Sequence, residues 1–581
     1  MSCARFLYLL IAVAVSCGTV AAQTCPGDAT RTGVFTGQGI TPPGLKCEGS
    51  GAQGRTCSGF LPSAVDGTLL EVTVSVPPGA GPHPLVVVLH GWGGGTDSLG
   101  YLAGPLLADG HAVLRYAARG FGNSWGQVNL ADIDVELADL RSMIGQVVDQ
   151  GPLHIDGTAV GVVGVSYGGG QAWLAWLRPS FSTPRGRPVQ IRTVVPIVPW
   201  TDLLYSLNPN GRPTNSIEPP GAPKLSYLNA LYAGGLRFSQ ERPYPNYPEY
   251  LTAWHAWINA MEPNRVDPIY QQIERGLTAC RSVWWQQALW PVDGRPAVPV
   301  FQLQGFTDDL FPLPEAKRML DALKARDPLY PIASYFGDIG HPRARNKPKE
   351  RDFVVGLVQK WFAFYLRGEG LQPEHGVQAA ITRPGTDFDP ERDLVSVPGY
   401  EALSNSQVSK EFAAAARLVN PPGDPAGGFA WDPLVMTAAQ ELEPLPPAPA
   451  SPAVPGSRAV YTVAVNELAG GGEPLLIAGQ PSVSLRAQIT SGVRVQLDVR
   501  LFDVATGGER NLITRGTLTL EGFPGSADVV IPTYGNLWEA PSGHALELEI
   551  TNVDSPYLAP SRVPSATVIS QVRLTIPRLL R

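Results

Sequence analysis

Ala159-Val160-Gly161-Val162-Val163-Gly164-Val165-Ser166-Tyr167-Gly168-Gly169-Gly170-Gln171-Ala172-Trp173-Leu174-Ala175-Trp176-Leu177 is the stretch on which the fold turns. Ala159 to Val165 is an uninterrupted apolar run of strand length, and Gln171 to Leu177 reads as the body of a helix. The two meet in Gly164-Val165-Ser166-Tyr167-Gly168, a GxSxG turn. Between a strand and a helix such a turn is sharp and strained, and it lifts the serine hydroxyl clear of the sheet. Its glycines are required because a Cβ there collides with the neighbouring strand or helix.

Working outward, Leu69 to Val76, Pro84 to Leu89 and Ala112 to Tyr116 read as strands on the N-terminal side. Ile133, Leu137, Leu140 and Ile144 recur at helical spacing before the elbow strand. Val194 to Val198, Val298 to Leu303 and Tyr330 to Phe336 continue the series, and Phe353, Leu357, Trp361 and Phe364 mark a last amphipathic helix ending near Gly368. Strands alternating with helices predict a mostly parallel sheet covered on both faces. Thr201 to Arg295, rich in Tyr and Trp, interrupts the alternation and is expected to form a cap. From about residue 380 helical periodicity gives way to strand alternation, as in Val493, Val495, Leu497, Val499, Leu501 and again Leu546, Leu548, Ile550. Residues 381–581 are therefore expected to be a β-sandwich, with Glu443 to Pro449 as a stiff extended connection.

A serine hydroxyl needs a base, and the base needs a third group to fix its tautomer. In the α/β-hydrolase fold these follow in the order Ser, acid, His. Five of the eight histidines precede residue 300, and of His341, His375 and His544 only His341 follows the last predicted strand of the sheet. The acid belongs just beyond Val298 to Leu303, where Asp308 and Asp309 stand side by side. Asp308 is the expected acid and Asp309 a solvated or turn-capping residue. Oxyanion donors are expected at the backbone N–H of Tyr167 and in the loop His90-Gly91-Trp92-Gly93-Gly94-Gly95, at Trp92, with His90 structural.

Composition sets the class. The 581 residues are 44% apolar and 16% charged, with 63 Gly and 57 Pro, as expected of a loop-rich globular chain of two or three domains. A net charge of -7 without Lys/Arg clusters argues against nucleic acid and anionic membranes as partners. Residues 1–22 have the pattern of a signal peptide, with Arg5, the apolar run Phe6 to Val15 and Val20-Ala21-Ala22 before the expected cleavage point, so a secreted or periplasmic protein is expected. Cys25, Cys47, Cys57 and Cys280 then remain, an even number, with Cys47–Cys57 favoured as a short loop staple and Cys25–Cys280 as its complement. Neither CxxC nor HExxH occurs, and no Lys-Ser/Thr follows the early Gly run, so no metal and no cofactor is expected.

Gly164 to Gly168, Arg119-Gly120-Phe121-Gly122-Asn123-Ser124, Gln304-Gly305-Phe306-Thr307-Asp308-Asp309-Leu310-Phe311 and Gly340-His341 together resemble the X-Pro dipeptidyl-peptidase and cocaine esterase (CocE/NonD) family. The resemblance implies an α/β-hydrolase domain over residues 23–380 with a helical cap at about 201–295, and a C-terminal jelly-roll whose last strand is similar to Ser570 to Pro577. It implies Ser166, Asp308 and His341 as triad of a serine hydrolase acting on a small ester or peptide. Cocaine esterase-like members use a tyrosine side chain in the oxyanion hole; Trp92 matches it here, leaving its backbone N–H or its indole N–H as donor. The acids that would hold a substrate's free α-amino group have no visible counterpart. An esterase, a true dipeptidyl peptidase and, from another class, a non-catalytic ligand-binding protein remain as alternatives. Trp254, Trp257, Trp284 and Trp285 of the cap are expected to line an apolar acyl pocket.

Overall fold

The computed structural model describes residues 25, 35–237, 242–420, 458–555 and 557–581. The expected signal peptide at 1–22 and the extended connection at 443–449 lie outside the described residues.

A twelve-stranded sheet carries the N-terminal half. In spatial order its strands are Gly44–Ser50, Gly54–Pro62, Leu69–Val76, Ala112–Tyr116, His83–Leu89, Ile155–Val165, Pro188–Ile197, Val300–Gly305, Ile332–Gly337, Val377–Ala380 and Leu394–Val397, with Ser180–Ser182 pairing off this path. From Ala112–Tyr116 to Val377–Ala380 every neighbouring pair on the path is parallel. Val300–Gly305 and Ile332–Gly337 are buried at every position, because helices cover both faces. Leu69–Val76 lies towards the antiparallel edge and alternates buried with half-buried residues. The sheet closes with Leu394–Val397, past the boundary expected at 380.

Pro348–Arg367 is the helix expected at the end of this unit, capped by Gly368 in the left-handed region. Its period is as read, but its buried stripe is rotated by one residue, onto Val354, Val358, Trp361 and Phe362. Between Pro188–Ile197 and Val300–Gly305 the chain leaves the sheet to form helices Leu203–Leu207, Leu225–Arg237, Glu249–Ala260 and Pro268–Thr278. Cys25–Cys280 ties the N-terminal segment to the end of this insertion, and Cys47–Cys57 crosslinks directly opposed residues of the first hairpin.

The C-terminal region is a β-sandwich of a seven-stranded and a four-stranded antiparallel sheet. Val495, Leu497, Val499 and Leu501 point into their shared core with Leu546, Leu548 and Ile550, whereas Val493 lies outside the strand and is exposed. The opposite face of Arg494–Val504 is buried too, and it is polar: Arg494, Gln496, Asp498 and Arg500. This face meets the helical insertion, where Arg494 donates to the carbonyls of Pro220 and Gly221 and pairs with Glu262 at 2.7 Å. Tyr534, Leu537, Tyr557 and Leu558 of the sandwich belong to the same apolar cluster as the helices on the twelve-stranded sheet. The two halves share one core at their boundary.

Candidate active site

Ser166 stands between Ile155–Val165 and the helix Tyr167–Leu177, with φ 57° and ψ −112°. A Cβ on Gly168 would lie 2.2 Å from the carbonyl oxygen of Leu89, so only glycine lets the helix start this close to the sheet. His341 Nε2 is 2.7 Å from Ser166 Oγ, and His341 Nδ1 is 2.7 Å from Asp308 Oδ2. The structure thus brings together the three residues that sequence order singled out. Asp308 is buried and fully engaged: Oδ1 accepts the N–H groups of Leu310 and Phe311, and Oδ2 also accepts that of His341. Gly340 is essential to this contact, since its φ is 127° and a Cβ would stand 2.3 Å from Asp308 Oδ2.

The loop His90 to Gly95 packs against the elbow, such that a Cβ on Gly91 would sit 3.6 Å from Ser166 Cβ. His90 is structural, as read. Its Nε2 accepts the N–H of Ala118 and its Nδ1–H reaches the carbonyl of Gly91, a pattern that requires the neutral ring. Burial, which lowers the pKa of His90, favours the same form. The carbonyl so held belongs to the peptide that carries the Trp92 N–H. The Trp92 indole N–H donates to Leu231 O at 2.8 Å, which removes it as an oxyanion donor and leaves the backbone N–H. No acceptor for the backbone N–H of Trp92 or Tyr167 occurs among the described residues. The latter opens an eleven-residue helix, whose positive dipole end favours an anion there.

An empty volume of about 1040 Å³, including its open mouth, adjoins Ser166. Trp254 lines it, as expected. Trp257, Trp284 and Trp285 do not: Trp257 packs on Tyr270, Trp284 on Trp290, and the Trp285 indole donates to Asp202 Oδ2. Trp257 is buried in the insertion, and Trp284 and Trp285 are half-buried at its surface. The wall is instead Trp92, Tyr247, Leu231 and the stripe Leu251, Trp254, His255 and Ile258, one face of the helix Glu249–Ala260. Among the described residues no Asp or Glu lines it.

Asp309 is not solvated. It is fully buried and ion-paired with Arg343 at 2.8 Å and Arg515 at 3.2 Å. Sequence reasoning also missed Glu136, buried beneath the elbow with its Oε1 accepting the Tyr167 hydroxyl at 2.6 Å. Burial pushes its carboxyl up to about 8. A folded pKa above the unfolded one means that this group's stabilising contribution is complete below about pH 4.5 and declines as pH rises towards 8. Glu136→Gln cannot ionise. Its thermal midpoint relative to wild type is therefore expected to rise between pH 5 and pH 8, whatever the amide costs at fixed pH; parallel profiles would refute the shift.

Ser166, Asp308 and His341 at the ends of strands Ile155–Val165, Val300–Gly305 and Ile332–Gly337 of a doubly covered sheet, with a cap and a sandwich beside them, have the arrangement of a serine hydrolase of the α/β-hydrolase fold. Residues 66–341, which include all three residues, match the family model described as X-Pro dipeptidyl-peptidase (S15 family). No curated protein matches the chain. Among solved structures, an aminopeptidase from a marine sediment Thaumarchaeota archaeon is 14% identical at a TM-score of 0.60, covering 92% of this chain and 98% of its own. A CocE/NonD family hydrolase from Staphylococcus aureus is 13% identical at 0.60, with 90% and 94% covered. An alpha-amino acid ester hydrolase is 16% identical at 0.60, with 92% and 98% covered. At these identities the likeness is one of fold. No helix among the described residues is long and apolar enough to cross a membrane.

Proposed function

We propose that Ser166 attacks the carbonyl of an ester with an apolar acyl group, with His341 as general base and Asp308 holding the imidazole. His341 takes the hydroxyl proton as the Ser166 Oγ–carbonyl bond forms, the oxyanion settles on the Trp92 and Tyr167 N–H groups, and His341 returns the proton to the leaving alcohol. Water then attacks the acyl carbonyl as His341 takes its proton, and His341 passes that proton to Ser166 Oγ as the Oγ–carbonyl bond breaks and the acid leaves. Among the described residues no group of three or more His, Cys, Asp and Glu that could hold a metal ion occurs. The pattern of residues 1–22 and the two disulfides support secretion.

One observation carries the substrate reading: the cavity that opens on Ser166 is apolar, and among the described residues no carboxylate lines it. An X-Pro peptide brings a free ammonium, and burying it without a partner costs several kcal/mol. Every 1.4 kcal/mol is about tenfold. The best of a series of aryl esters of varied acyl length is therefore expected to exceed X-Pro-anilides in kcat/KM by about 10²-fold or more. Comparable cleavage of X-Pro-anilides, lost when their amine is blocked, would establish a dipeptidyl peptidase instead.

A further inference from the structure

Asp309 follows the acid Asp308 in sequence, yet the reaction assigns it no task. Arg343, two residues beyond His341, grips its carboxylate at both oxygens, Nε to Oδ2 at 3.0 Å and Nη2 to Oδ1 at 2.8 Å. Arg515, on the sandwich strand Arg510–Glu521, brings Nε to 3.2 Å from Oδ2. The Asp309 carbonyl accepts from the Tyr557 hydroxyl at 3.0 Å and from Lys224 Nζ at 2.6 Å, and Lys224 also donates to Leu310 O. Arg343 in turn donates to the carbonyl of Leu512, and Arg515 pairs with Asp554, both within the sandwich. The loops that carry acid and base are thus joined through one buried carboxylate and moored to the second domain.

The mooring lies one peptide from the chemistry. Asp308 Oδ1 is held by the N–H groups of Leu310 and Phe311, and the Leu310 N–H belongs to the peptide whose carbonyl Tyr557 and Lys224 bind. Rotation of that peptide moves a donor off the acid. On the other loop Arg343 has φ 87°, a left-handed conformation that a non-glycine residue keeps only when its surroundings impose it. The doubly bonded guanidinium supplies that constraint.

We propose that Asp309 and Arg515 are positioning residues, through which the β-sandwich fixes Asp308 and His341 relative to each other. The proposal rests on the triad reading above. Removing either partner loosens the triad while leaving the helical stripe Leu251, Trp254, His255 and Ile258 of the cavity wall in place, and a misplacement of about 1 Å costs on the order of 10²-fold.

The test compares full-length Asp309→Asn, Arg515→Met, Arg515→Lys, the Asp309→Asn/Arg515→Met double variant and Ser166→Ala. Asp309→Asn and Arg515→Met are expected to lower kcat by about 10- to 100-fold with KM within about twofold. Fluorophosphonate labelling should slow in step, Arg515→Lys should recover part of kcat, and the double variant should fall no further than the worse single one. Single variants with kcat within about twofold of wild type, beside an inactive Ser166→Ala, overturn the proposal and leave the triad standing. So does a rise in KM at constant kcat, or a loss that only tracks the folded fraction. An active Ser166→Ala overturns both. Should Asp309→Asn not fold, Tyr557→Phe keeps every charge and removes one hydrogen bond to the Asp309 carbonyl; it is expected to lower kcat by about fivefold, and an unchanged kcat overturns the proposal.

Discussion

Ser166→Ala is expected to lower kcat by about 10⁴-fold or more while the thermal midpoint stays near that of wild type. The variant removes one oxygen, 2.7 Å from His341 Nε2, and alanine tolerates the elbow conformation as well as serine does. What survives is the oxyanion donors and the cavity, which bind substrate without offering it a nucleophile. Steady-state kinetics on the best aryl ester, with fluorophosphonate labelling beside it, decide the matter: more than about 1% of wild-type kcat, or covalent labelling elsewhere in the site, ends the assignment of Ser166. Asp308→Asn should cost a comparable factor. The carboxylate accepts four N–H donors, two on each oxygen, so an amide must set its NH₂ against donors on one side. Either the acid loop shifts or His341 is held in the wrong tautomer, an effect of about 10⁴-fold in a comparable triad.

The meeting of Ser166, Asp308 and His341 was legible because each stands in a local pattern. A glycine-flanked serine after a buried strand, an aspartate just past a strand and a Gly-His after the next one are short patterns with one structural meaning each. The cavity wall was not legible, because an apolar stripe such as Leu251, Trp254, His255 and Ile258 has the same spacing whether it faces a core or a void. Counting aromatic rings favoured Trp257, Trp284 and Trp285, yet these rings are taken up by partners within the insertion, Tyr270, Trp290 and Asp202. Asp309 was misread for a different reason. Its partners Arg343 and Arg515 lie 34 and 206 positions away, and nothing local to Asp309 distinguishes a buried clamp from a surface turn. Glu136 belongs to the same category, since the hydroxyl that it binds sits 31 residues on.

Removing the β-sandwich should destroy the hydrolase rather than merely trim it. A chain ending at Val397 keeps the whole twelve-stranded sheet, so the loss is confined to contacts across the boundary. It exposes the apolar surface now covered by Tyr400, Leu403, Leu476, Tyr534, Leu537, Tyr557 and Leu558, a contiguous patch of the kind that drives aggregation. It also strips Asp309 of Arg515 and of the Tyr557 hydroxyl, and removing one partner from a buried ion pair typically costs about 3–5 kcal/mol. Against a total stability of about 5–15 kcal/mol, either loss is severe, and together they exceed what a domain tolerates. The truncated chain is expected to be insoluble. Any fraction recovered in solution should label with fluorophosphonate far more slowly than the full chain, because acid and base have lost their shared mooring. A soluble truncation with full esterase activity would show that the sandwich neither covers nor positions the site.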